Sequence, residues 1–295
     1  MTQTSLLNNG TKIFGNGLEA TSSDGEPAAL SMVSSSRDLA KAGKAMLDSS
    51  IVSPADTRRW LKPVTSTSNL RNSVGRPWEI YHFGMNATDP VVDIYTKTGS
   101  IGRYSSYFGL APDHNVGFSI LAYDENVESP DLNAYADVAL EALLAIDKLG
   151  RAQAKSLLAG TYQASASANS SLVIRETGDS DPGLSVETLV VNGKDWRTEI
   201  AGLQAIKPED LDFRLYPTNL QATAADGGML MEFRAVFQDK SAPIDQGTPT
   251  CITWMGVNDL LLDGKDLGSF TFHLDHDGNS TAITISALGS ELRRS

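Results

Sequence analysis

IYTKTGSIGRYSSYFGLAPDHNVGFSILAY, residues 94–123, is the stretch that decides the fold. With the residues just before it, it holds three runs rich in Tyr, Phe, Val and Ile: Val91 to Thr98, Tyr104 to Ala111 and Asn115 to Tyr123. Gly99-Ser100-Ile101-Gly102 separates the first two and Pro112-Asp113-His114-Asn115 the last two, both of them turn-forming clusters. The pattern predicts an antiparallel meander. Lys97-Thr98-Gly99 falls at the end of its first strand, where an ammonium and a hydroxyl can point together across a groove and glycine lets a ligand approach the backbone.

Upstream of the meander, Ser34-Ser35-Ser36 precede a helical pattern from Arg37 to Leu47, with Ser36 as its cap and Asp38 in its first turn. Ser53-Pro54 opens a second helix running to about Leu61, and Pro77 to Phe83 reads as a strand that leads through Gly84 to Pro90 into the meander. Downstream, Leu132, Tyr135, Val138, Ala139, Ala142, Leu143 and Ile146 recur at helical spacing, which predicts one long helix from Asp131 to about Leu158. From Thr161 onward the period changes. Short apolar runs, among them Trp196 to Ala201 and Thr250 to Met255, alternate with turns such as Asn192-Gly193 and Asp277-Gly278, and no helix is expected there. About eight such strands predict an up-and-down barrel or a sandwich, lipocalin-like in outline. The resulting division is a flexible arm over residues 1–33, a mixed helix and sheet domain over 34–158 and an all-β domain over 159–295: an α+β chain.

Composition narrows the function classes. The 295 residues are 41% hydrophobic and 20% charged, as in a soluble globular protein able to bury a core. A formal net charge of −12 and a pI near 4.7 argue against nucleic acid and against an anionic membrane surface as partners. The single cysteine, Cys251, excludes a disulfide framework and reads as a small buried apolar residue. The opening MTQTSLLNNGTK has neither a basic start nor an apolar run, which points to the cytoplasm, while four Asn-x-Ser/Thr sequons, at Asn9, Asn86, Asn169 and Asn279, would suit a secreted ancestor.

A strand bearing Lys-Thr-Gly, a glycine turn, an aromatic and serine-rich strand, a Pro-Asp turn and an apolar strand together resemble the serine β-lactamases and penicillin-binding proteins, in their class C, esterase-like fungal branch. The segments Trp60 to Pro63 and Val74 to Tyr81 and the β-rich tail fit the same resemblance. That family acylates a serine in Ser-x-x-Lys, assisted by Tyr-x-Asn or Ser-x-Asn. Here no lysine has a serine three residues before it, and no tyrosine is followed by x-Asn. The resemblance therefore implies the second half of a β-lactamase-like domain with a C-terminal extension. In the family fold, the chain's first strands flank the last strand of the meander. A sheet of three or four strands with an open edge follows, to be covered by the β-domain, a second copy or a complementing chain.

For the site, the resemblance implies Lys97 as the group that meets an anion or carbonyl, with Thr98, Gly99, Ser100, Tyr104 and Ser106 as substrate-binding residues. His82, on the strand before, is the one histidine to place near that groove as a general base. His114 reads as a solvated turn residue, and Trp78 and Glu79 as packing and salt-bridge residues. His273 and His276 lie three apart, on opposite faces of a strand, so no metal is expected, and no cofactor. Two function classes remain: an enzyme of polyketide-like metabolism acting on an ester or carbonyl compound without an acyl-enzyme, by hydrolysis, isomerisation or cyclisation, and a non-catalytic binding or partner protein or a fragment of a serine esterase lacking its nucleophile half.

Overall fold

A computed structural model of the chain describes residues 33–84, 91–164, 169–178, 181–242 and 256–295. Most of the N-terminal arm, Asn9, Asn86, Cys251 and the run Thr250 to Met255 lie outside the described residues. The chain divides into two compact units, residues 1–147 and 148–295, with the division falling inside one long helix.

Unit 1 is built on a six-stranded antiparallel sheet in sequential order: β1 (Thr65–Ser66), β2 (Asn72–Val74), β3 (Glu79–Phe83), β4 (Val92–Ile101), β5 (Tyr104–Ala111) and β6 (Val116–Tyr123). The three strands of the meander form as the turn signals predict, with Gly102 and Asn115 in the left-handed region at φ +53° and 52°. The sheet is wider than the three or four strands expected, because two short strands, β1 and β2, extend it beyond β3. At the other side β6 pairs with β5 alone among the described residues.

Helices cover both faces. On one, α1 (Ser36–Leu47) and α2 (Pro54–Trp60) frame a core of Leu61, Trp78, Ile80, Tyr95 and Leu110. Trp78 holds that core together, tilted against Trp60 at 5.3 Å, edge-on to Tyr95 at 6.3 Å and stacked on Phe108 at 6.4 Å. The helix cap differs from expectation by one residue. Ser35, not Ser36, is extended at φ −112° and takes the amide of Asp38 on its hydroxyl, while donating to the Asp38 carboxylate at 2.9 Å. Gly43 in mid-helix is explained by packing: a Cβ there would stand 3.2 Å from Leu110 and 3.3 Å from Phe108. On the opposite face Leu140 and Leu143 of α3 (Asn133–Leu157) pack on Phe83, Val92, Ile94 and Ala111.

Unit 2 is an eight-stranded antiparallel barrel. Its strands β7 (Gly160–Gln163), β8 (Ser171–Arg175), β9 (Leu184–Val191), β11 (Leu211–Thr223), β12 (Met229–Asp239), β15 (Ser269–Leu274), β16 (Ser280–Ile285) and β17 (Ser290–Arg294) follow one another around the wall. Pairing of β17 with β7 closes the circle. The minor strand β10 (Lys194–Asp195) pairs with β9 in the same sheet without joining the ring, and β13 (Leu261–Leu262) and β14 (Lys265–Asp266) pair with each other. Of the two all-β forms expected, the barrel is the one found. Its interior holds Tyr162, Leu172, Ile174, Phe213, Leu215, Phe270, Phe272, Ile283 and Leu292, all at 1% exposure or less.

One element contradicts the expectation of an all-strand tail. Trp196 to Ala201 is not a strand; it belongs to helix α4 (Trp196–Leu203). The β9–β10 hairpin turns on Asn192 and Gly193 at φ 53° and 77°, and the Asp195 carboxylate then accepts the amides of Arg197 and Thr198, so the chain is capped into a helix as it leaves. Trp196, Ile200 and Ala201 fall on its buried side, at spacings of four and five.

Candidate functional site

Strand β4 is longer than its neighbour β3. Thr96 is the last β4 residue opposite β3, across from Glu79, whereas β5 stays paired as far as Ile101. Lys97 to Ile101 therefore have a strand partner on one side only among the described residues, and the other edge carries backbone groups open to a ligand. Contrary to the expectation that they point together, alternation along β4 puts Lys97 and Thr98 on opposite faces. Both nonetheless reach Glu79 at the start of β3: Lys97 Nζ donates to Oε1 at 2.5 Å and Thr98 Oγ1 to Oε2 at 3.2 Å. Lys97 and Glu79 are each about half exposed, so their pairing stabilises little, about 0–1 kcal/mol, and a ligand can displace it.

The other residues expected to bind substrate flank this edge in part. Ser106 lies opposite Gly99 and donates to its carbonyl at 3.2 Å. Ser100 faces the buried Ser105, their hydroxyls 3.0 Å apart. Tyr104 packs on Tyr123 at 4.9 Å with its hydroxyl enclosed, and desolvation raises its pKa above the ordinary tyrosine value. Lys97, Gly99, Tyr104 and Ser106 share one face of the sheet, and Thr98 and Ser100 the other.

His82 stands elsewhere. It lies opposite Asp93, four positions before Lys97 along β4, or about 13 Å at the rise of an extended strand. Its Nδ1 meets Asp93 Oδ1 at 2.6 Å and its Nε2 meets Ser73 Oγ at 2.7 Å. Because a carboxylate only accepts, the imidazole proton sits on Nδ1, and Nε2 takes the hydrogen of Ser73. Three adjacent strands thus bring Ser73, His82 and Asp93 into one hydrogen-bonded row, and the amide of His82 bonds the carbonyl of Arg71 at 2.9 Å to fix β3 on β2. Sequence reasoning named His82 and missed both partners. Asp93 could have been found from the β3 to β4 register; Ser73 sits in a three-residue strand too short to show alternation. Next to Asp93, the hydroxyl of Tyr95 is pushed up to about 12 by burial, with the charges of Asp93 and Asp113 adding to it.

The remaining histidines are apart from both places. His114 is half-buried with Nδ1 enclosed, not solvated as expected. His273 bonds the Thr284 hydroxyl at 2.8 Å on the barrel wall, and His276 lies in the β15 to β16 turn near Gly227.

Among the described residues no helix is long and apolar enough to cross a membrane. Residues 150–295 match a family model described as Beta-lactamase-like-like, C-terminal domain. A β-lactamase-like protein of Arthroderma benhamiae is 27% identical over 286 residues, covering 88% of this chain and 48% of that protein. The chain thus spans about half the length of this curated relative. Among solved structures, the octameric penicillin-binding protein homologue of Pyrococcus abyssi is 15% identical, at a TM-score of 0.31, over 88% of this chain and 46% of its own. SurE matches at 13% identity and a TM-score of 0.25, over 89% and 48%. Residues 150–295 thus match the β-lactamase-like C-terminal domain family, and 88% of the chain is similar to a β-lactamase-like protein, in line with the resemblance carried by Lys97-Thr98-Gly99.

Proposed function

We propose that this chain handles an ester- or carbonyl-bearing small molecule along the free edge of Lys97 to Ile101, without an acyl-enzyme at that edge. The observation that carries the reading is the convergence of Lys97 and Thr98 on the Glu79 carboxylate where β4 has lost its neighbour. A substrate carbonyl drawn to this edge would meet the ammonium as charge develops on its oxygen. The carboxylate, released from its lysine, is then placed to accept a proton. Positioning together with acid–base chemistry of this kind suits hydrolysis, isomerisation or cyclisation of a polyketide-like compound. Lacking Ser-x-x-Lys, the chain has no family nucleophile to route the reaction through.

The test is calorimetric titration of the purified chain with a panel of small esters, lactones and β-diketones. Binding by at least one compound is expected, and Lys97→Ala should weaken it about tenfold, or about 1.4 kcal/mol. A panel that leaves the protein untouched, or binding indifferent to Lys97→Ala, would sink the proposal. The second reading, a non-catalytic partner subunit, is favoured by the edge of β6, which has one strand neighbour among the described residues. A second copy or a complementing chain would add a strand there, and sedimentation equilibrium showing a monomer at all concentrations would remove the homodimer.

A further inference from the structure

We infer that Ser73, His82 and Asp93 form a second, separate site, an acyl-transfer centre for small carboxylic esters. Three observations carry it. The order of contacts is that of an activated hydroxyl: Ser73 Oγ to His82 Nε2 at 2.7 Å, then His82 Nδ1 to Asp93 Oδ1 at 2.6 Å. The three residues are locked by strand register rather than by loops, since β2, β3 and β4 are successive neighbours, and His82 and Asp93 are directly paired. Finally, His82 opens onto a pocket of about 430 Å³ lined by Leu70, Arg71, Gly84 and Val91. Leu70 and Val91 are largely exposed apolar side chains, which an acyl or alkyl group would cover. Arg71 donates to the Tyr81 hydroxyl and to the Gly84 carbonyl, and no carboxylate pairs with it among the described residues. Its guanidinium is the cation of the pocket, suited to an oxyanion or a substrate carboxylate.

Water is the one co-reactant that the chemistry needs. Ser73 Oγ adds to the ester carbonyl carbon as its proton passes to His82 Nε2, and Asp93 steadies the imidazolium. The carbon–oxygen bond to the leaving alcohol breaks, and that alcohol carries off the proton from Nε2. Water then adds to the acyl-serine, giving its proton to His82, which returns it to Ser73 Oγ as the carboxylic acid leaves. Burial narrows the substrate class: Ser73 is only 5% exposed and it is His82, not Ser73, that lines the pocket, which confines the site to acyl groups of about acetyl size.

The experiment treats the full chain with diisopropyl fluorophosphate, followed by intact mass and peptide mapping, beside hydrolysis assays with p-nitrophenyl acetate and p-nitrophenyl octanoate. One adduct on the peptide holding Ser73 is expected, absent from the urea-unfolded chain and from Ser73→Ala, with the acetate cleaved in preference to the octanoate. His82→Gln and Asp93→Asn keep side-chain size and should slow labelling about a hundredfold. No adduct, an adduct on another serine, or labelling unchanged in His82→Gln would overturn the inference. Should those variants fail to fold, the mapped position in the folded wild-type chain decides alone. Because Lys97 takes no part, a Ser73 adduct stands or falls independently of ligand binding at the free edge of β4.

Discussion

Arg214 is 2% exposed on β11, two positions from Asp212, so both side chains leave the strand on the same side. The guanidinium Nε donates to both Asp212 oxygens at 3.1 and 3.0 Å, and Nη1 donates to the carbonyl of Asp181 at 3.1 Å. A buried pair adds little over an apolar substitute, but removing Arg214 leaves the buried Asp212 carboxylate with only the more distant Lys240 ammonium, at 3.6 Å, as its counter-charge. Arg214→Ala should therefore cost the barrel about 3–5 kcal/mol, read as a lowered urea midpoint, whereas a double change of both residues to apolar ones should recover much of it. Tyr95 yields a pH effect of opposite origin. Its ordinary pKa is 10.0 and burial raises it to about 12, so between these values the folded chain keeps a proton that the unfolded chain has lost. The stabilisation is complete below pH 10.0 and disappears as pH rises toward about 12. Tyr95→Phe should accordingly reduce the alkaline fall in melting temperature expected of the wild-type chain, to which the raised Tyr104, Tyr107 and Tyr162 also contribute, while absorbance titration should find one fewer late-ionising phenol.

Strands β5 and β6 meet where Gly109 faces Phe118, and the ring lies over the glycine so closely that a Cβ would stand 2.5 Å from it. Phe118 also stacks on Tyr107 at 5.7 Å, which holds the ring in place. Gly109→Ala is expected to destabilise unit 1 by about 1–3 kcal/mol through overpacking, measurable by thermal unfolding. The meander that contains this contact was legible, because glycine and Pro-Asp turns bound runs of aromatic and β-branched residues on either side. The first two helices and the start of α3 were legible for similar reasons, since their caps and apolar spacing are local. What was not legible follows a physical pattern. Strand β2 is three residues long and gives no period, so Ser73 could not be assigned a face. In α4, β-favouring Trp196, Thr198 and Ile200 mask a helix that the Asp195 cap and the packing of Ile200 impose. The last strand, Ser-Glu-Leu-Arg-Arg, buries only Leu292 and so reads as polar tail. Of the site, the Lys97 edge was visible as a motif, while its Glu79 partner depends on where β3 starts, which only the paired sheet sets.

At the scale of the molecule, unit 2 is a closed wall in which strand neighbours are also neighbours in sequence, with one exception at the seam. There Arg293 and Arg294 pair with Gln163 and Tyr162, and the Arg294 guanidinium donates to the carbonyls of Leu157, Ser156 and Ala159 at 3.0, 3.0 and 2.7 Å. This one side chain both seals the barrel and satisfies the last carbonyls of α3. Deleting residues 290–295 should expose two strand edges and the Leu292 cavity together, giving a chain that aggregates or binds a hydrophobic dye, while Arg294→Ala should lower the melting temperature without opening the barrel.

The same seam sets a timetable for folding. Each earlier pairing in the barrel joins strands that emerge close together during synthesis, and can form as soon as both are out. The closing pair joins residues 130 positions apart, Gln163 and Arg293, and so waits for the whole domain. Until then β7 and β16 each present a bare edge to the cell, and the loop closed at that last step is the costliest in entropy. The domain's greatest exposure to misassembly therefore falls in the interval between completion of β16 and docking of β17, when a holdase or a neighbouring polypeptide competes with β17 for the same edge.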